Sequence, residues 1–231
     1  MKSGVLGVLC KLDVEKAYDH VNWDFLIYML DRYGFLEKWR RWVFFCISTV
    51  KFSILINGTP CGFFESSRGI RQSDPLSPLL FVIVMDAFSK MLDNAVRDGL
   101  MSSIRVGPTG NSLQVTHLLF ANDNLVLCDA DLGQILFLQW VLFWFEVVSG
   151  LKINMGKSEL VLVVVVPNIA DMEDVLGCKQ GSFSMKYLGF PLGANVRDSS
   201  IWNPIIEKME RRLVGWKWLY LSKGGKMKRM C

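Results

Sequence analysis

Histidine is nearly absent and cysteine is thinly spread, with two histidines and six cysteines in 231 residues and no CxxC pair among them. A zinc site needs such ligands to converge, so it has little to rest on. The six thiols (Cys10, Cys46, Cys61, Cys128, Cys178 and Cys231) read as isolated, buried or half-buried groups in a reducing compartment. No apolar run reaches the roughly 18 uninterrupted residues that a membrane-crossing helix needs. The longest are Trp42 to Ile56, broken by Lys51, and Ile135 to Phe145, broken by Gln139. Met1-Lys2-Ser3-Gly4 and the short apolar run before Lys11 do not make a secretory signal. Repeats, low-complexity tracts and flexible linkers are lacking too, so one continuous unit is expected.

What is present is apolar material, at 51% of residues with a mean hydropathy of +0.29. A soluble, sticky, intracellular protein without a membrane partner is the expectation, in the nucleus or the cytoplasm. The net charge of +4 is mild, but from Glu207 onward eight Lys/Arg face two Glu. That stretch either follows a phosphate backbone or is a solvated helix face.

Periodicity places a strand over Val5 to Leu12, ending at Asp13, then helices over Trp23 to Tyr33 and Glu37 to Ile47. Lys51 to Asn57 alternates as a strand and turns at Asn57-Gly58, with Phe63 to Ser67 returning. A loop from Gly69 to Pro75 precedes Ser77-Pro78, read as a cap and first helical position, and an apolar helix to about Arg97. Two strands, Val115 to Phe120 and Leu125 to Cys128, flank a turn made of Ala121, Asn122, Asp123 and Asn124. A helix from Leu132 to Val148, strands over Leu160 to Val166 and Met185 to Leu188, and a helix from Ile201 to Trp218 complete the chain. This irregular alternation predicts an α+β fold, a largely antiparallel sheet with helices on one face.

Two acidic residues stand at strand ends, Asp13 and Asp123. Carboxylates shown by adjacent strands can share hard Mg²⁺ ions with substrate phosphates. An aspartate in a turn is also a common structural feature.

Five strings occur in order: LDVEKAYD from Leu12, GIRQSDPLSPLLF from Gly69, HLLFAND from His117, SGLKINMGKSE from Ser149 and YLGFPLG from Tyr187. Together they resemble the successive motifs of reverse transcriptases of non-LTR (LINE-type) retrotransposons, the plant lineage especially. The resemblance implies the palm of the right-hand polymerase fold over residues 1–195, with part of the fingers, and the start of a thumb over 196–231. It implies an RNA-directed DNA polymerase with an RNA template, a DNA primer and deoxynucleotides as partners; it gives no oligomeric state. Asp13 and Asp123 match metal-binding carboxylates for two Mg²⁺ ions, with the Val14 carbonyl beside them. Tyr18 matches the residue under the incoming sugar, and Gln72 and Ser73 match the nucleotide-contacting loop. The family places glycine where Ser73 stands, so crowding or strain from a positive φ is expected there. Lys157 matches a lysine that protonates the leaving group, or else is a plain exposed lysine. Tyr187, Leu188 and Gly189 match the primer grip. Lys217, Lys226, Lys228 and Arg229 resemble a thumb that clamps a duplex by its backbone.

The chain also departs from the pattern. Asn122 stands where the family has the first of two hairpin aspartates, which removes a metal-directed charge and predicts weak or absent polymerase activity. The chain starts twelve residues before Asp13, which leaves the fingers largely missing, and it ends before a complete thumb. The LVLVVVV run from Leu160 is an aggregation hazard. The expectation is a decayed retrotransposon copy, against two alternatives: an active polymerase within a longer product, and a non-catalytic nucleic-acid-binding remnant.

Overall fold

The structure is a computed structural model that describes residues 7–106, 113–163, 169–182, 185–192 and 202–220. The chain divides into two compact units, Met1–Gly181 and Ser182–Cys231.

The first unit is built on strands β1 (Gly7–Glu15), β6 (His117–Phe120), β7 (Asp123–Asp129), β8 (Lys152–Ile153), β9 (Glu159–Leu162) and β10 (Lys179–Gly181). They form one sheet in the order β10-β9-β1-β7-β6, with β8 paired to the end of β1. All pairings are antiparallel except β9 with β10. Strand β1 is central because its apolar residues occupy consecutive positions, the pattern of a strand covered on both sides. Helices α1 (Trp23–Arg32), α3 (Ser77–Arg97), α4 (Leu132–Ser149) and α5 (Ile169–Leu176) supply most of the remaining core. Val8, Cys10, Leu12 and Val14 of β1 meet Phe88 of α3 and Phe145 of α4, whose rings lie 4.8 Å apart. The expected α+β architecture, an antiparallel sheet with helices packed on one face, is the one observed.

Local chemistry explains the boundaries. The Asn22 side chain caps α1 by accepting from the Asp24 and Phe25 amides at 2.9 and 3.2 Å. Asp131 caps α4 in the same way, and Gly150 ends it with φ +75°. Ser77 is not the cap of α3 but its first residue. Leu76 holds the cap position, and the Asp74 carboxylate accepts from the Leu76 amide at 2.8 Å. Hairpin β2 (Lys51–Ile56) and β3 (Thr59–Glu65) follows α2 (Glu37–Ser48). Its return strand starts earlier than Phe63 because Asn57 and Gly58, at φ +50° and +82°, close the turn in two residues. The sequence reading missed the short pair β4 (Ile104–Val106) and β5 (Leu113–Val115), as well as α5 and β10. Two- and three-residue ladders leave little periodic signal. Strand β9 ends at Leu162, and residues 164–166 of the expected strand lie outside the described residues.

Helix α4 is long and apolar enough to cross a membrane by length and composition. Its Ile135, Leu138, Val141, Leu142 and Phe145 are core residues here, packed with α3 and β7. Among the described residues five cysteines are free thiols, of which Cys10, Cys128 and Cys178 are buried. Cys10 and Cys128 are not isolated: a thiol–thiol hydrogen bond, with burial, raises the Cys10 pKa well above its ordinary value. Burial, helped by Glu173, pushes Cys178 up to about 11. Neither is a reactive thiolate at neutral pH.

The second unit contains hairpin β11 (Met185–Tyr187) and β12 (Phe190–Leu192) and helix α6 (Asn203–Tyr220). Leu188 and Gly189 form its turn with φ +52° and +85°.

Candidate active site

The site is assembled around the end of β1. Strand alternation sends Leu12 and Val14 into the core and leaves Asp13 half-buried on the opposite face. The β6–β7 hairpin turns on two residues, Ala121 and Asn122, rather than four. Asp123 is therefore no turn residue: it opens β7 directly opposite Asp13. Ala121 takes φ +50°, a left-handed conformation that costs an alanine about 1 kcal/mol. The Asn122 carbonyl accepts from the Val14 amide at 2.9 Å, which carries the β1–β7 ladder into the turn.

The Asn122 side chain then meets Asp13. Its Nδ2 donates to Asp13 Oδ1 at 3.2 Å. The carboxylate can only accept, so this contact fixes which end of the amide faces it.

The segment after β1 ties the remaining strings together. The Ile70 amide donates to the Tyr18 carbonyl at 2.7 Å, and the Gly69 amide to the Val21 carbonyl at 2.8 Å. Trp23 Nε1 donates to the Gly69 carbonyl at 2.6 Å, and the Asn22 amide to the Ser149 carbonyl at 2.8 Å. Backbones approach so closely that a Cβ at Gly69 would sit 2.5 Å from the Asp19 carbonyl oxygen. A Cβ at Gly150 would sit 2.6 Å from the His20 carbonyl oxygen. Residues 18–23 are thus the seat on which the Gly69 loop and the end of α4 rest.

This arrangement brings Val14, Tyr18, Gln72, Ser73 and Asn122 together around a cavity of about 440 Å³, with Lys16, Ala17 and Pro78 completing its lining. The Tyr18 ring is held by stacking on Phe81, with centroids 5.0 Å apart. Ser73 has φ +67°, the strained backbone expected of a serine in a glycine position. Lys16, also left-handed at φ +43°, was not singled out from the sequence although it lies inside the LDVEKAYD string.

Lys157 is not part of that lining. It is exposed, in a turn where its amide donates to the Asn154 carbonyl and side chain at 3.1 and 3.2 Å. The turn itself is fastened to the Asp13 backbone, because the Asn154 amide donates to the Asp13 carbonyl at 2.8 Å. The Ser158 hydroxyl accepts from the Asp13 amide at 3.2 Å. Tyr187, Leu188 and Gly189 form the hairpin of the second unit. Lys217 lies on α6 with its side chain outside the described residues, as are Lys226, Lys228 and Arg229 altogether.

A second cavity of about 740 Å³ lies between α2, the β2–β3 hairpin and the loop before α3. Its charged lining is Arg68 and Arg71 against Asp19, Glu65 and Asp74. It is larger but acidic in balance, and it does not include Asp13, Asn122 or Asp123.

Over residues 4–192 the sequence matches the protein family described as reverse transcriptase (RNA-dependent DNA polymerase). The chain belongs to the reverse transcriptase family. An uncharacterized mitochondrial protein of Arabidopsis thaliana is 36% identical over 117 residues, 49% of this chain and 90% of that protein. A Pol polyprotein from a type-1 retrotransposable element R2 of Popillia japonica is 26% identical over 121 residues. That match takes in 52% of this chain but only 19% of the polyprotein, so the chain corresponds to a small part of its length. The Candida tropicalis telomerase, solved in complex with a fragment of telomeric RNA, aligns over 86% of this chain and 30% of its own, with a TM-score of 0.57 at 13% identity. That likeness concerns the fold, the right-hand polymerase palm. The resemblance to retrotransposon reverse transcriptases is borne out by these relatives.

Two divalent ions would need more than this reverse transcriptase offers. Among the described residues no group of three or more His, Cys, Asp or Glu side chains is placed to hold a metal ion. One oxygen of Asp13 is already engaged by an amide that brings no charge. Mg²⁺ is shared among carboxylates and phosphates, and the donor set here does not fit a pair of such ions.

Proposed function

We propose that this chain is the palm of a retrotransposon reverse transcriptase that has kept its nucleotide-binding geometry and lost its polymerase chemistry. The observation that carries the reading is the Asn122 Nδ2 to Asp13 Oδ1 hydrogen bond at 3.2 Å. An aspartate at 122 would face Asp13 as a second carboxylate, and the two would separate unless a cation lay between them. The asparagine closes the pair by itself, with a neutral donor where the reaction requires a metal-bearing charge. Electrostatic stabilisation is usually the largest catalytic contribution, and one lost group costs roughly 10²–10³ in rate.

In this reading Asp13 and Asp123 are the surviving carboxylates, and Val14, Tyr18, Gln72 and Ser73 surround the incoming deoxynucleotide. An RNA template and a DNA primer are the macromolecular partners. Tyr187, Leu188 and Gly189 belong to the primer side, and the basic stretch with Lys217, Lys226, Lys228 and Arg229 belongs to the duplex. Lys157 has a positioning turn but no place in the nucleotide cavity, so its role as general acid is the least supported. A plant retrotransposon is the source that the Arabidopsis relative favours.

Primer extension on an RNA template with Mg²⁺ tests the proposal. The chain as it stands is expected to give no product above background, and Asn122→Asp to raise any synthesis by at least about 10²-fold. Robust extension by the unaltered chain overturns the proposal. Equal, measurable synthesis by both proteins would show that the charge at 122 is not what decides activity.

A further inference from the structure

We propose that the 440 Å³ cavity binds a nucleoside polyphosphate without a divalent cation, the Lys16 ammonium taking the phosphate charge that an ion would otherwise carry. This inference rests on the nucleotide-binding part of the function proposed above and adds to it the electrostatics of the site.

The charge of the cavity suits a phosphate. The cavity lining contains one cation, Lys16, and no carboxylate. The larger cavity has three carboxylates to two guanidinium groups, so it is no place for a phosphate. Lys16 is exposed and has no ion pair among the described residues, so its charge is not already neutralised. The Asp19 amide donates to the Lys16 carbonyl at 2.8 Å, which fixes the turn that presents the residue. A compact ammonium on a flexible stem suits a phosphate as a point charge.

The other donors are neutral. Gln72, Ser73 and Asn122 bring two amides and a hydroxyl to the same lining. The Asn122 amide spends one N–H on Asp13 and keeps a second. The same substitution that removes a metal ligand also removes a negative charge from the cavity wall, where it would repel a bare phosphate. Tyr18, held on Phe81, supplies the flat apolar surface a sugar or base needs. A volume of 440 Å³ lies within the usual range of small-molecule sites.

Calorimetric titration of the full chain with deoxythymidine triphosphate, once in EDTA and once in Mg²⁺, tests this. Binding is expected in EDTA, with an affinity that Mg²⁺ changes by no more than about twofold. Lys16→Ala is expected to weaken it by about tenfold or more, the loss of one charge-assisted contact, and Lys16→Arg to restore most of it. Lys16 is exposed, so a thermal melt matching the parent's is expected to accompany both variants. The inference falls if binding requires Mg²⁺, or if Lys16→Ala binds as the parent does; either result leaves the nucleotide-binding reading standing. No binding in either buffer would overturn both. If inorganic tripolyphosphate bound as tightly as the nucleotide, the nucleoside part would be wrong.

Discussion

The two faces of the β1–β7 pair are made by the same nine and seven residues and do opposite work. On the helix-packed face stand Val8, Cys10, Leu12, Val126 and Cys128, all buried in the main core. On the other face Leu9 and Leu125 are also buried, but the strand ends there with Asp13, Glu15 and Asp123 half-exposed. A period of two thus separates the residues that hold the fold from the acidic residues shown at the strand ends. On the proposed reading, a neutral side chain at Asn122 alters the open face without disturbing the packed core behind it.

The separation has two polar exceptions on the packed face, and they differ from each other. His117, opposite Val126, is satisfied on both ring nitrogens, with Ser89 Oγ at 2.7 Å and Thr116 Oγ1 at 2.8 Å. Asn124, opposite Leu12, is fully buried, and neither its amide nitrogen nor its oxygen has a partner. One polar residue ties the hairpin to α3. The other costs stability and repays nothing visible in the core.

The two faces are expected to differ in how much they stabilise the fold. Phe145→Ala, on the packed side, is expected to destabilise the chain by about 3–5 kcal/mol. Asp13→Ala, on the open side, is expected to cost under about 1 kcal/mol. Urea unfolding of the two variants measures the difference, and similar losses would refute the division.

Asn124→Val acts within the packed face itself. Removing an unpaired buried amide is expected to stabilise by about 1–3 kcal/mol, seen as a higher unfolding midpoint in urea. A loss of stability would mean that the amide is satisfied in solution.

The smallest effect is a pH dependence at His117. Burial lowers its pKa below the ordinary 6.5, against an opposing pull from Asp93. The unfolded chain therefore takes up the proton first as the solution is acidified. Stability contributed by the neutral ring is complete above pH 6.5 and is lost as pH falls through the lower folded value. Melting curves from pH 7.5 to 5 should show this decline, and His117→Gln should flatten it.

Much of the fold was legible because its signals are local. Asn22 before Trp23, Asn57-Gly58 between two alternating runs and Gly150 after an apolar helix each mark a boundary through the backbone of a few residues. The short ladders β4–β5 and β10 carried no such mark. At the site the residue types could be read, but not the geometry. Counting Ala121 to Asn124 as the turn left Asp123 outside the strand, whereas Phe120 pairs directly with Asp123 and Asp123 with Asp13, more than a hundred residues away.

Residue identities and their spacing carried the family, the order of its strings, the strand that bears Asp13 and the presence of an amide rather than a carboxylate at Asn122. These depend on residue identity and short-range periodicity. Only the tertiary structure decided that the Asn122 amide closes on Asp13 and that Asp123 stands opposite Asp13. It also decided that Lys16 enters a cavity free of carboxylates. Those facts depend on strand register and on contacts between distant segments, which no local pattern encodes.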